Sequence, residues 1–349
     1  MKNQIYTIFL LLFFIFSPVY SLSPGKMIIT GFKGVSPDDP RIIQLKRTID
    51  EKKIGGVILF KRNIKNKVQL KQLIQYLTKN TPIFVVIDHE GGLVNRLTHP
   101  SFQLKTPSPE LFCKLEKDKQ QFHAKQISTT LKDIGINVNL GGVVDIAPLI
   151  YSSSICRYKR CFSDSQDEIS SCTSILFSAH KDHHIFFALK HFPGHGSTPV
   201  DSHYQLPDIT KTHSEYDYMP YHTIMKSSSN YDMVMIGHLM DTRVDNKYPA
   251  SLSKRHIKTL RSDLNYDGFI ITDDLNMGAL YRISRNKATL AGIAAEAGNH
   301  LLLFEYLDFS DIDQVINHLS KIAKQKPTLK KHILDSSKRI NMALSLNDS

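Results

Sequence analysis

Fourteen consecutive residues, Lys190 to His203, read KHFPGHGSTPVDSH; they hold three histidines, an aspartate, a lysine and a spread of glycine and proline breaks. They follow an apolar run, IFFAL, of the kind that forms a buried strand. Asp201 and His203 stand two residues apart, so in a turn the carboxylate can accept the imidazole N–H, fix its tautomer and raise its basicity. A histidine held this way is a general acid and base near neutral pH. The glycine and proline residues allow the segment to swing over a bound substrate and away again. The same stretch offers a second chemistry, because His191, His195, Asp201 and His203 are all capable metal ligands. Pro193 and Gly194 break the helix that would align His191 with His195, and no HExxH motif or clustered cysteine pair occurs. The acid/base dyad is therefore the preferred reading, with no metal or other cofactor expected and His195 serving as a hydrogen-bonder within the loop.

Such a loop needs a frame. Eight short runs rich in β-branched residues recur along the chain: KMIITGF, GGVILF, PIFVVID, INVNLGGVVDI, IFFALKH, YDMVMIGH, DGFIITD and NHLLLF. Between them lie amphipathic segments such as DPRIIQLKRTIDEKK, NKVQLKQLIQYLTKN, SKRHIKTLRSDLNY and SRNKATLAGIAAEAG, each opening on an Asp, Asn or Ser suited to cap a helix. Strand and helix alternating eight times with no linker between them predicts an α/β fold, a single (β/α)8 barrel of the TIM type. In that architecture chemistry sits at the carboxyl ends of the strands. Six of the eight runs end in groups that could supply it: Lys61, Arg62 and Asn63; Asp88 and Glu90; Asp145; Lys190 and His191; His238; Asp273 and Asp274.

The chain opens MKNQIYTIFLLLFFIFSPVYSLS, a lysine followed by an apolar run too short for a membrane span and then small residues. Residues 1–21 are expected to be a cleaved secretory signal and 22–349 a single catalytic barrel, exported to a periplasm or the medium, monomeric and without a lasting membrane span. Export to an oxidising compartment permits disulfides, and Cys113, Cys156, Cys161 and Cys172 allow three pairings, none selected by spacing. The formal net charge is +11. The basic residues are dispersed, with no Arg-rich tract, no tryptophan and no stacking motif, so nucleic acid is not an expected partner and an anionic cell envelope is the better one.

The loop is similar to the K-H-F-P-G-H-G-x-T-x-x-D-S-H signature of glycoside hydrolase family 3, in its β-N-acetylglucosaminidase branch. Further stretches resemble that branch in the expected order: GVILFKRN, VIDHEGGLVNRL, RCFS, PASLS, DGFIITDDLNMGAL and EAGNHLLLF. The resemblance implies a single barrel and a retaining exo-acting hydrolase that removes terminal β-linked N-acetylglucosamine from peptidoglycan fragments or related aminosugar glycosides. It implies Asp273 as the nucleophile that forms a glycosyl-enzyme, with His203 as acid/base and Asp201 as its partner. It implies Lys190, His191 and Asp88 as ligands of the sugar hydroxyls, with Arg96 and Arg160 lining the sugar site. From the residues alone, Asp273 is a carboxylate at a strand end able to attack an anomeric carbon, and Asp274 is the better helix cap. His89, Leu93, the Gly141-Gly142 pair and Asn299 depart from the family pattern, which bears on contacts beyond the terminal sugar. Two other functions remain open at this point: a phosphorylase using the same histidine, and a non-catalytic barrel that only binds the envelope.

Overall fold

A computed structural model describes residues 22–146, 152–225 and 233–345; the leader expected over 1–21 lies outside the described residues. Eight strands appear in chain order: β1 (Ile28–Gly31), β2 (Gly56–Leu59), β3 (Phe84–Ile87), β4 (Val138–Val143), β5 (Phe186–Phe192), β6 (Met233–Ile236), β7 (Phe269–Thr272) and β8 (Leu302–Phe304). Seven fall inside the apolar runs, and β5 extends one residue past its run, to Phe192. Every neighbouring pair is parallel, in the order β7-β6-β5-β4-β3-β2-β1-β8. A parallel bridge between Ile271 and Leu301 joins the two ends, so the sheet closes into the expected barrel.

Closure puts every strand between two apolar layers, and the strands accordingly read as mostly hydrophobic runs, broken in β4 by Asn139 and in β5 by Lys190 and His191. Alternate residues divide between the layers because a strand turns successive side chains to opposite faces. Ile29, Ile58, Phe84, Val86, Leu140, Phe186, Met235 and Phe269 fill the barrel interior. Ile28, Val57, Leu59, Val85, Ile87, Phe187 and Ile270 pack outward against the helices. Phe84, Phe186 and Phe269, from three odd-numbered strands, meet edge to face at centroid distances of 5.6, 5.8 and 5.9 Å. Ile340, Ala343 and Leu344 of the last helix, Pro327–Ser345, join the interior cluster and stop the amino-terminal end of the barrel.

The helices begin where their caps dictate. The side chains of Asp39, Asn66 and Ser253 accept backbone N–H groups at the starts of Pro40–Asp50, Lys67–Thr78 and Lys254–Lys258. The segment opening at Ser284 starts its helix three residues later, at Lys287, because Asn286 takes the cap position and accepts the Thr289 N–H. All four cysteines are bonded, Cys113 to Cys172 and Cys156 to Cys161, which selects one of the three pairings that spacing left open. No helix among the described residues is long and apolar enough to cross a membrane.

Candidate active site

At the carboxyl end of the strands lies a cavity of about 210 Å³. Asp88, Arg96, Arg160, Lys190, His191, His203 and Asp273 all line it, and Asp201 stands behind His203. These residues come from the ends of β3, β4, β5 and β7, so only barrel closure brings them together. The floor is apolar: Ile58, Met235 and Leu303 rise from the interior layer.

One wall is an ionic network. Lys190 Nζ lies 2.6 Å from Glu90 Oε1 and 3.1 Å from Asp88 Oδ1. Arg160 grips the same Glu90 with both arms, Nε to Oε2 at 2.8 Å and Nη2 to Oε1 at 2.9 Å. Arg96 reaches Asp88 Oδ2 at 3.4 Å. Burial opposes the Glu90 charge, but Arg160 and Lys190 outweigh it and hold that carboxyl at about 2. Burial likewise disfavours the Lys190 ammonium, and Glu90 and Asp88 more than restore it. The wall is thus charged at neutral pH, with fixed donors and acceptors facing the cavity.

A second buried carboxylate, Asp145, organises the start of the loop. Its Oδ2 takes the His191 Nδ1–H at 2.7 Å, and its Oδ1 accepts the backbone N–H groups of His191 and His195 at 3.1 and 2.7 Å. The His191 tautomer is set by this contact, leaving Nε2 for the cavity. His195 bonds Ser202 Oγ at 3.1 Å and Ser154 Oγ at 3.4 Å, the loop-internal role expected of it. Burial lowers its pKa to about 4. No cluster of three or more His, Cys, Asp or Glu side chains suited to a metal ion occurs among the described residues.

The dyad forms at the mouth. Asp201 Oδ1 lies 2.7 Å from His203 Nδ1 and also accepts the His203 backbone N–H at 2.9 Å. The His203 side chain is 63% exposed, in contrast to the buried His191, so its free Nε2 can meet both solvent and substrate. The Gly278 N–H donates to the His203 carbonyl at 3.0 Å, and a Cβ at Gly278 would stand 2.7 Å from that oxygen. Only glycine lets the β7 loop approach this closely, which brings the dyad to the side of the cavity that holds Asp273.

Adjacent carboxyls at the end of β7 are driven apart. Burial raises the Asp273 carboxyl, but His238, His191 and the Asp274 N–H, which donates to Oδ1 at 2.8 Å, bring it below the ordinary carboxylate range. Asp274 is raised to about 7, chiefly by burial, with the charges of Asp273 and Glu305 adding to it. At neutral pH Asp273 is therefore the more fully ionised of the two. Asp274 Oδ1 accepts the N–H groups of Asn276 and Glu305 at 2.9 and 2.7 Å. It therefore caps a turn and ties β7 to β8, where a helix cap was expected; the next helical turn, Gly278–Leu280, has Met277 at its cap position.

Polar groups at strand ends do not all line the cavity, and the cavity has lining beyond them. Asn63 is a backbone brace, donating to the carbonyls of Phe32 and Gly34, and His238 bridges Ser251 Oγ and the Asp274 carbonyl. Glu90 and Asp145 were visible at strand ends but not as parts of the site, since nothing in their own neighbourhood shows which cations they face. Phe60 and Glu305 also line the cavity; Glu305 directly follows β8 and the same strand-end rule finds it. Glu90→Gln is expected to cost about 3 kcal/mol of stability at pH 7, because two buried cations lose their partner. Glu90 stabilises fully above its unfolded value of 4.5 and loses that contribution as pH falls towards 2. The gap between parent and variant should therefore narrow on acidification from pH 7 to 3, read by thermal unfolding; a gap independent of pH would refute the network.

Residues 40–343 match the glycosyl hydrolase family 3 N-terminal domain. A β-hexosaminidase of Bordetella avium is 30% identical over 271 residues, which cover 73% of each chain. A protein of Arthroderma benhamiae described as an uncharacterized secreted glycosyl hydrolase is 26% identical over 333 residues, 92% of each chain. Coverage of other relatives is smaller: the chain spans 43% of β-hexosaminidase A from Pseudoalteromonas piscicida. The solved structure of a β-N-acetylhexosaminidase from Beutenbergia cavernae shares the fold, with a TM-score of 0.81 at 21% identity over 93% of this chain and 99% of that one.

Proposed function

Because the chain belongs to glycosyl hydrolase family 3, we propose that its cavity removes terminal β-linked N-acetylglucosamine from aminosugar glycosides with retention of configuration. The observation that carries this reading is the pairing of an ionised Asp273 inside the cavity with an Asp201–His203 dyad at its mouth. In the first step an Asp273 oxygen bonds to the anomeric carbon while the bond from that carbon to the leaving oxygen breaks, and His203 Nε2 gives its proton to that oxygen. In the second step water adds to the same carbon, the bond to Asp273 breaks, and the water proton passes to His203 Nε2. Asp201 holds the imidazole for both transfers.

Lys190, Asp88, His191, Arg96 and Arg160 present donors and acceptors to the sugar hydroxyls, and each hydroxyl can satisfy both kinds. The cavity volume suits one sugar ring, which supports action on a terminal residue over action within a chain. Peptidoglycan fragments are the substrate class that fits a basic, exported protein, and two disulfides support export. The relatives described as β-hexosaminidases support an aminosugar as the terminal residue.

Turnover of nitrophenyl β-N-acetylglucosaminide, β-glucoside and β-xyloside, followed by proton NMR of the first-formed product, tests the reading. Preference for the acetamido sugar and a β product are expected. A first-formed α product would refute the retaining mechanism, and binding without release would make the protein a sugar-binding barrel. A sugar 1-phosphate formed when phosphate is added would make it a phosphorylase.

A further inference from the structure

Arg160 occupies an unusual place for a group that faces a sugar: it lies inside the short loop closed by the Cys156–Cys161 disulfide. We propose that this disulfide is a positioning device that presets Arg160, and with it the acid/base loop, for the terminal sugar. The proposal rests on the function given above.

The loop is built to hold one shape. Ser153 Oγ accepts the N–H groups of Ile155 and Cys156 at 3.3 and 3.1 Å, and a single helical turn, Cys156–Tyr158, follows. Lys159 then takes a left-handed conformation, φ +60°, which turns the chain so that Arg160 meets Glu90. A non-glycine residue in that region is strained and needs its surroundings to hold it. Both cysteines are buried in a small cluster of their own with Val143 of β4 and Ile155, and Ile155 lines the cavity. The bridge thus anchors both ends of the turn to the barrel beside the sugar pocket.

A second line of contacts leads from this loop to the dyad. The Ser154 N–H donates to the Thr198 carbonyl at 2.9 Å, and Ser154 Oγ meets His195 Nδ1 at 3.4 Å. His195 and Thr198 belong to the stretch that ends in Asp201 and His203. Without the bridge, the residues that hold Arg160 and those that support the acid/base loop would loosen together.

Global stability is not the better explanation. A disulfide constrains the unfolded chain in proportion to the logarithm of the loop it closes. The sequence separation here is 5, against 59 for Cys113–Cys172, which joins two outer helices away from the cavity. The long bridge is the staple, and the short one acts locally.

The two bridges therefore control for each other. In the full chain, Cys156→Ser/Cys161→Ser should raise KM for nitrophenyl β-N-acetylglucosaminide about tenfold, with a smaller change in kcat, since a displaced binding group weakens the hold on the ring. Cys113→Ser/Cys172→Ser should lower the unfolding temperature by several degrees and leave KM unchanged. In an Arg160→Ala background, loss of the short bridge should add little to KM, because the group it positions is gone. Should the first variant fail to fold, the second can be treated with a trialkylphosphine. That reagent reduces the one remaining disulfide to two thiols, the phosphine taking up the oxygen of water, and KM should rise on treatment. An unchanged KM on removal or reduction of the Cys156–Cys161 bridge, or an equal rise with and without Arg160, would overturn the proposal. Absence of turnover by the unaltered protein would instead sink the function on which it rests.

Discussion

Asp273→Ala is expected to lower turnover by at least about 10⁴-fold and to leave the barrel intact. The loss is large because the adjacent carboxyl, Asp274, cannot replace the attacking oxygen. Asp274 is pushed up to about 7 and spends Oδ1 on two backbone N–H groups, so it is neither ionised to the same degree nor free to move. The fold should survive because the contact that keeps β7 in register here is made by the backbone, Asp273 N–H to the Ile236 carbonyl at 2.9 Å, and not by the lost side chain. Far-ultraviolet circular dichroism and the unfolding temperature check that half of the prediction. Azide checks the other half. In Asp273→Gly it can enter from the vacated side and attack an activated β-glycoside, displacing nitrophenolate and giving the α-azide. A variant that keeps ordinary turnover, or one whose azide product is β, would refute the assignment of Asp273.

His203→Ala separates substrates by their leaving groups. A sugar alkoxide cannot depart without a proton, so loss of the acid should slow release from a natural disaccharide by about 10² to 10⁴-fold. Nitrophenolate leaves unaided, and glycosylation by nitrophenyl β-N-acetylglucosaminide should retain a much larger share of its rate. Asp201→Ala should show a milder version of the same pattern, because Asp201 orients the ring through the 2.7 Å contact with Nδ1 without carrying the transferred proton. A metal-dependent loop predicts another outcome: both substrate classes would fail equally, a chelator would mimic the substitution and added divalent ion would restore activity. Single-turnover kinetics on the two substrates, with and without chelator, decide between them.

Much of this was legible from local pattern. The eight strands coincide with the eight apolar runs to within a residue because a strand buried on both faces is apolar over most of its length, and that demand is written into consecutive residues. Asp39, Asn66 and Ser253 cap their helices through side chains that reach only two or three residues ahead. The Asp201–His203 contact is equally local: a two-residue separation leaves the turn little choice. Asn286 shows the limit of such reasoning, since Ser284 and Asn286 stand close together and local pattern does not choose between them; in the structure Asn286 takes the cap and its own N–H donates to Ser284 Oγ.

The sequence by itself determined the barrel, the order of its strands and the end of it that carries polar groups, because each depends on periodicity and on short-range caps. The tertiary structure decided which charges face each other. Glu90 belongs to Arg160, 70 residues away, and to Lys190, and Asp145 belongs to His191, 46 residues away. It also paired Cys156 with Cys161 and Cys113 with Cys172. Electrostatic and covalent partners are set by distance through space, and in a closed barrel that distance is fixed only when the last strand meets the first.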